Sequence, residues 1–411
     1  MSRVFAGAVA IRLHIIYIVA CIYAAKMRPT TGTGIMTKKM HVGVEGNSYV
    51  NERLLSNVGD GSWELRHTRG LLTYVNYVNR KVLHHHHATT FTNCFSWHPG
   101  IPPRDLLHFV NTIAATTTPW IVSFEHFLPR WDPASRFGMQ LLAGSHCKRI
   151  LAISQFAYDS QVELLAPFST LAPSITRKMQ VLHPPQPLLI GSLDEKHTPQ
   201  DLLRCVFVGR DFFRKGGREI VDAVQLLIGE GRALQVDIVS SVDPGDYATK
   251  STAADRDEIL RRMEALRPAI QFHGEVPNAE VLTMLRNSHV ALLPTYDDTY
   301  GFSVLEAQAA GTPVITTDIC ALSEINTENV GWIIRLRKDK WRQAEGIKSG
   351  DIATISQEIR TGIYEHLRAI LDHPEMLKAR SVACLERIRT HHDPARYGQT
   401  IRAIYQESVG A

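Results

Sequence analysis

Asp297, Asp298 and Glu306 lie close together in residues 292–317, LLPTYDDTYGFSVLEAQAAGTPVITT. An ionised carboxylate only accepts hydrogen bonds, so each needs a partner that donates, and sugar hydroxyls do. What these groups can reach depends on the elements that carry them. Residues 290–293 form an apolar run that reads as a strand, and Pro294 stops it. Residues 295–300 are a polar loop. Gly301 then permits a tight entry into a helix bearing Val304, Leu305, Ala307, Ala309 and Ala310. Gly311-Thr312-Pro313 ends that helix, and Val314-Ile315 begins the next strand. A strand–loop–helix of this kind sets backbone N–H groups and a positive dipole end at a strand's carboxyl edge, where parallel α/β sheets bind phosphates. Glu306 falls one turn into the helix. It would repel a phosphate there, so its natural partner is a hydroxylated group beside the phosphate, and a ribose fits. The same carboxylates also read as solvated charges at a helix start.

Asp298-x7-Glu306 followed by Ala-x-Ala-Ala-Gly-Thr-Pro-Val-Ile resembles the signature of the retaining family 4 glycosyltransferases of GT-B fold. That family usually carries Glu-x7-Glu. Asp298 is shorter by a methylene, Thr299-Tyr300-Gly301 precede the helix, and Gln308 stands where Met is common. A second stretch supports the resemblance. The strand at 205–208 leads into Gly209-Arg210-Asp211-Phe212-Phe213-Arg214-Lys215-Gly216-Gly217, similar to the family's Gly-Arg-Leu-x4-Lys-Gly loop. An Arg fork and a Lys point charge there would converge on a diphosphate and neutralise a leaving group. Arg214 and Arg218 read as exposed cations at the same turn.

The resemblance implies that Arg210, Lys215 and the amides of Gly301, Phe302, Ser303 and Val304 hold the diphosphate. Gly209, Gly216, Thr299 and Tyr300 would shape the donor site, and Val276 would pass beside the base. Glu306 would bind the ribose and Asp298 a hydroxyl of the transferred sugar. In the N-terminal half the family's Asp-Val-Val-His-x-His aligns with Asp105 and His108, its second His falling at Val110. The His of a second motif falls at Glu125. His108, Glu125 and Ser154 are therefore acceptor-side expectations, and His126, Arg130 and Trp131 follow in a loop able to face an acceptor. The family's Gly-rich loop after the first strand has only Gly43 and Gly46 to match it. His108 reads equally as a histidine satisfied within its strand.

The chain of 411 residues is long enough for two or three domains with proper cores. It is 44% hydrophobic and 21% charged, as soluble enzymes are. Its net charge of +4 is spread along the chain rather than gathered on one face, which argues against a nucleic-acid binder. The six cysteines have no CxxC or zinc spacing and read as free thiols of a reducing compartment. The four histidines 84–87 cannot all reach one metal from a helix or a strand. An apolar run at 15–25 is too short to span a membrane. It reads as an upstream extension before a start near Met27 or Met36, as a membrane-associating segment, or as a signal peptide.

Strands alternating with helices predict parallel sheets covered on both faces. His183-Pro184-Pro185-Gln186-Pro187 marks the main boundary, since proline blocks strand pairing. The expected organisation is an apolar extension and linker over 1–35 and a Rossmann-like acceptor domain over 36–187. A Rossmann-like donor domain follows over 201–390, and a terminal helix over 391–411 crosses back, as the resemblance implies. The expected fold class is α/β, GT-B, with two Rossmann-like domains whose sheets face a cleft. The resemblance implies a retaining transferase that moves a sugar from a nucleotide-diphosphate sugar, its co-substrate, to a carbohydrate or lipid-linked acceptor. No metal, cofactor or nucleic acid is expected. The expected location is the cytoplasm, with peripheral association at the inner face of a membrane. A nucleotide-sugar epimerase of the same fold and a non-catalytic partner subunit are the alternatives.

Overall fold

The structure, a computed structural model, describes residues 40–46, 48–55, 63–68, 70, 90–98, 105–196, 198 and 202–410. The apolar segment at 15–25 and the four histidines lie outside the described residues. The chain divides into two units, Met1–Pro184 with Pro394–Ala411, and Pro185–Asp393.

The first unit holds β1 (Met40–Gly46), β2 (Trp63–His67), β3 (Phe95–Trp97), β4 (Leu106–Val110), β5 (Ile113–Ala115), β6 (Trp120–Phe124), β7 (Cys147–Ala152) and β8 (Met179–Val181). Six of these form one sheet in the order β2-β1-β4-β6-β7-β8, and β3 pairs with β5. Every pairing is parallel. β4 and β6 are buried at every position, as strands covered on both faces must be. Strand β4 ends at a sharp turn. Asn111 takes a left-handed φ of 56°, and the chain turns from β4 into β5 of the other sheet. The terminal helix Pro394–Gly410 packs on β4 and β7 and buries Tyr397, Ile401, Ile404 and Tyr405.

The second unit holds β9 (Leu203–Asp211), β10 (Leu234–Ser241), β11 (Ile270–Gly274), β12 (Val290–Leu293), β13 (Val314–Thr317) and β14 (Trp332–Ile334). They form one parallel sheet in the order β11-β10-β9-β12-β13-β14. The order reverses between β9 and β12, and a crevice outside the carboxyl ends of a reversing pair is where such sheets take ligands. The helix Gly217–Gly229 buries Ile220, Val221, Val224 and Leu227, the face its periodicity predicts. The helix Asn278–Arg286 begins directly behind Pro277, without a side-chain cap. On the long helix Ile352–Asp372, a Cβ at Gly362 would come within 2.7 Å of Ile334 in β14, so only glycine allows that approach.

One cation ties two helix ends together. The Lys196 ammonium donates to the Ser288 carbonyl at 2.6 Å, to the Thr312 hydroxyl at 2.6 Å and to the Ala310 carbonyl at 3.3 Å. Ser288 and Ala310 follow the carboxyl ends of Asn278–Arg286 and Phe302–Ala309, where unpaired carbonyls and the negative dipole end accumulate. Burial pulls the Lys196 pKa down to about 7, offsetting the advantage of its charge, so Lys196→Met is expected to destabilise the second unit by about 0.5–1.5 kcal/mol, the net range for ordinary hydrogen bonds. Chemical denaturation of the full chain checks this, and an unchanged transition would contradict it.

Candidate functional site

The site in the second unit begins with two glycines. Gly216 sits at φ 82°, and a Cβ there would strike the Pro294 carbonyl. The turn after β9 can therefore lie directly against the loop after β12. Gly301 sits at φ 90°, and its Cβ would come within 2.6 Å of Leu322. The left-handed turn at Gly301 starts the helix Phe302–Ala309 with no side-chain cap on its first turn and no acidic residue in it. An anion acceptor suits such an end.

Between these two turns the loops are bonded to one another. The Arg214 carbonyl accepts from the Tyr296 amide at 2.9 Å and from the Thr295 hydroxyl at 3.2 Å. The Arg214 guanidinium reaches back to the Asp297 carbonyl at 2.8 Å and also binds Asp211. Below them, the Tyr296 hydroxyl donates to buried Glu219 at 2.6 Å, and Ser356 donates to the same oxygen at 2.6 Å. Burial raises the Glu219 pKa, and these two hydroxyls offset part of that rise.

The expected donor residues divide into three groups. Lys215 and Asp298 come together: the ammonium bonds the carboxylate across the two loops, and both are largely buried. Gly209 makes room for this, since a Cβ there would lie 3.0 Å from the Lys215 side chain. Arg210 stands apart at the end of β9, 84% exposed, with its nearest carboxylate at Glu275, 3.7 Å away. Glu306 lies on the Phe302–Ala309 helix with 7% exposure, and Thr299, Phe302, Ser303 and Val276 are half-buried near the sheet's carboxyl edge.

Two donor expectations need correction. The Val304 amide bonds the Gly301 carbonyl at 2.9 Å and its side chain is fully buried, so Val304 is committed to the helix turn. Tyr300 turns its ring into the core, 1% exposed, while its amide bonds Asp298 at 3.2 Å. Arg214 and Arg218 are also not free cations. Arg218 pairs with Asp255, and Arg214 is a main tie between the loops.

In the first unit the acceptor-side expectations fare differently. His108 is 0% exposed, and both ring nitrogens are engaged, with the Tyr405 hydroxyl at 2.8 Å and the Ser123 hydroxyl at 2.9 Å. Burial pushes its pKa down to about 3, so it is a neutral core residue and not a group that meets an acceptor. Ser154 is also 0% exposed and caps the helix Gln155–Leu164 by accepting from the Ala157 amide at 3.0 Å. Glu125 remains at the sheet edge, held by the Asn111 side chain, with Arg130 3.8 Å away. His126 is stacked on Phe156 and Trp131 packs edge-on against Phe95. Gly43 lies inside β1, pressed against Thr68 and Leu107.

A buried cluster that no sequence motif marks lies at the end of β1, beside the reversal in strand order between β1 and β4. Glu45 accepts from the Gly70 amide at 2.9 Å, from Ser96 at 2.6 Å and meets His98 at 2.8 Å. Nothing in the spacing of these residues announces the contact. Burial would raise the Glu45 pKa, but the hydrogen bond and charge of His98, with Ser96 and the Gly70 amide, outweigh it and hold it below 4.5. The folded carboxyl therefore binds its proton less tightly than the unfolded one. Its contribution to stability is complete above the ordinary carboxylate pKa and is lost as pH falls through the lower folded value. Glu45→Gln is expected to flatten that acid limb, measured by thermal melts from about pH 3 to 7. A variant that keeps the same acid dependence would contradict it.

Among the described residues, no group of three or more His, Cys, Asp or Glu side chains is placed to hold a metal ion, and no helix is long and apolar enough to cross a membrane.

Comparison with known proteins follows the same division. The structure is similar to sucrose-phosphate synthase from Thermosynechococcus elongatus, with a TM-score of 0.56 at 13% identity, over 90% of this chain and 99% of that one. It is similar to Anabaena Alr3699/HepE in complex with UDP and glucose, with a TM-score of 0.53 at 10% identity, over 90% and 100%. These likenesses show the fold, and the fold class is GT-B, α/β with two Rossmann-like parallel sheets. In sequence, the chain is 27% identical over 133 residues to D-inositol 3-phosphate glycosyltransferase of Streptomyces griseus, covering 32% of this chain and 28% of the relative. It is 26% identical over 203 residues to glycogen synthase of Mycobacterium tuberculosis, covering 47% and 39%. The chain thus aligns with under half the length of either relative. Residues 193–349, which carry the β9 turn, the Asp298 loop and the Glu306 helix, match the family described as Glycosyl transferases group 1.

Proposed function

We propose that this protein is a retaining glycosyltransferase that moves a hexosyl group from a nucleotide-diphosphate sugar to a carbohydrate or lipid-linked acceptor in polysaccharide or glycoconjugate synthesis. The observation that carries the reading is the Lys215–Asp298 pair at the β9–β12 reversal, beside the uncapped helix that starts at Phe302. A cation, a hydroxyl-binding carboxylate and an anion-accepting helix end are thereby gathered where a parallel sheet takes a phosphorylated ligand. The match of residues 193–349 to group 1 transferases supports the same reading, and the relatives named above are transferases rather than epimerases.

In this reading the diphosphate meets the Phe302 and Ser303 end of the helix, Lys215 and Arg210. Their positive charge stabilises the leaving group as the glycosidic bond breaks. Glu306 accepts from the ribose hydroxyls and Asp298 from a hydroxyl of the transferred sugar. Retention follows from a front-face displacement, in which the departing diphosphate takes the acceptor's proton and no enzyme nucleophile is used. Arg210 and Lys215 supply the charge that a divalent ion supplies elsewhere, so the enzyme needs no metal or other cofactor. The reading places it in the cytoplasm, with peripheral association at the inner face of a membrane for a lipid-linked acceptor.

Lys215→Ala and Glu306→Ala are expected to lower nucleoside-diphosphate affinity or transfer roughly tenfold or more, about 1.4 kcal/mol, while the chain stays folded. Calorimetry with UDP, GDP and ADP, alongside thermal melts, reads both quantities, and undiminished binding and transfer in either variant would remove that residue from the site. Turnover is expected to survive a chelator. Activity lost to chelation and restored by a divalent cation would sink the metal-independent part.

A further inference from the structure

The first unit presents a cluster of aromatic rings that neither the donor motifs nor the core of the sheet accounts for. The short helix Thr90–Cys94, β3, the loop after β6 and the helix Arg136–Ala143 each contribute to it. Phe91 lies 4.9 Å from Phe95 and 5.1 Å from Trp131, ring centre to ring centre. Phe95 lies 5.7 Å from both Trp131 and Phe137. Side chains alternate along a strand, so Trp97 projects on the same side of β3 as Phe95, while Ser96 meets Glu45 on the other. Phe95 and Trp131 rest on the core of the unit. Their outer neighbours are left in solvent: Phe91 is 37% exposed, Trp97 44% and Phe137 48%. A single exposed ring needs no explanation, but rings from adjoining elements make a contiguous patch, and such patches mark interaction surfaces.

The patch is fixed from below. Fully buried Gln161 accepts from the Leu128 amide at 2.7 Å and donates to the Leu128 carbonyl at 3.0 Å, which pins the loop shortly before Trp131. Gly138 lets the following helix press on the same loop, since a Cβ there would come within 2.6 Å of Pro129 and 3.2 Å of Trp131. Two cations edge the rings. Arg136 is exposed beside Phe137, and Arg130 is exposed next to the helix Thr90–Cys94, near enough for its charge to act on Cys94. Arg130 stands 3.8 Å from Glu125, and the exposed carboxylate between the two arginines in sequence, Asp132, is turned onto the Ala134 amide at 2.9 Å.

Phe and Trp rimmed by arginine fit a bilayer surface, where aromatic rings settle at the headgroup level and arginines meet anionic phosphates. A sugar ring would want one flat aromatic face. Three of the ring contacts close at 65–76°, edge to face, so these rings share no plane.

We propose that this face docks the first unit on a bilayer with anionic headgroups, Phe91, Trp97 and Phe137 entering the headgroup region and Arg130 and Arg136 pairing with lipid phosphates. The proposal deepens the membrane association in the reading above and rests on that reading for its purpose, which is to bring the enzyme to a lipid-linked acceptor. The docking itself is read without turnover.

The test is co-sedimentation of the full chain with vesicles of phosphatidylcholine alone and of phosphatidylcholine mixed with phosphatidylglycerol. The unaltered protein is expected to pellet with the mixed vesicles and to stay in solution with phosphatidylcholine alone. Trp97→Ser combined with Phe137→Ser is expected to lower partitioning about tenfold or more, and Arg136→Gln about fivefold with a weaker dependence on salt. Thermal melts show whether the variants are folded. A second measurement needs only a conservative change: lipids brominated on their acyl chains are expected to quench tryptophan emission, and Trp97→Phe to reduce that quenching. Absence of binding, binding that the aromatic variant keeps, equal binding to both vesicle types, or quenching that Trp97→Phe leaves unchanged each overturns the proposal. Self-association that the aromatic variant abolishes, without vesicle binding, assigns the face to a second copy and also overturns it. Failure of UDP, GDP and ADP to bind in a separate titration would sink the transferase reading and leave the vesicle result standing.

Discussion

The candidate site depends on the contact between two loops, one after β9 and one after β12. Gly216 lets their backbones touch, the Arg214 carbonyl takes two hydrogen bonds from residues 295 and 296, and the Arg214 guanidinium closes the loop pair through the Asp297 carbonyl. The Lys215–Asp298 pair is a consequence of that contact. Two opposite charges as deeply placed as these persist because each satisfies the other. A ligand that entered would have to offer both of them an equivalent partner, a negative group for the ammonium and a donor for the carboxylate. A phosphorylated sugar carries both.

The glycines are what make the arrangement specific to these positions. A side chain at Gly216 would push the loops apart, and one at Gly301 would push the helix start off Leu322. Either change would displace the carboxylate loop relative to the cations. Hydrogen bonding falls off steeply over such a displacement. Glu219 adds a support from below. It fastens Tyr296 to the helix Ile352–Asp372 through a shared oxygen, so the loop is held from the core as well as from its neighbour.

How much of this was legible in the sequence follows from how local each signal is. The strands and helices of the second unit were readable because short apolar runs alternate with amphipathic stretches, and because glycine at a left-handed turn is a local requirement. Arg210, Lys215, Asp298 and Glu306 stood out because their spacing resembles a glycosyltransferase signature, not through spacing alone. Arg214 did not, because its partner is a backbone carbonyl 83 residues away, and a carbonyl has no residue type to recognise. In the first unit, spacing misled. His108 occupies a motif position, yet its strand is buried on both faces, and its nitrogens are taken by Ser123 and by a tyrosine 297 residues later. Glu45, Ser96 and His98 were unreadable, since their contact is made by sheet topology rather than by sequence neighbours.

That tyrosine also bears on how the chain is made. Tyr405 is fully buried, bonded to His108 and tilted against Trp63, so the face of β4 is finished by the helix Pro394–Gly410. On a ribosome the first sheet emerges early and its cover emerges after the whole of the second unit. The second unit has every one of its strands in a continuous stretch and can close while synthesis continues. The first keeps an apolar face open until that helix is made, and closing it joins residues 297 apart in sequence, a long loop to close. The sheet whose strands come first in the chain is therefore the one whose cover comes last.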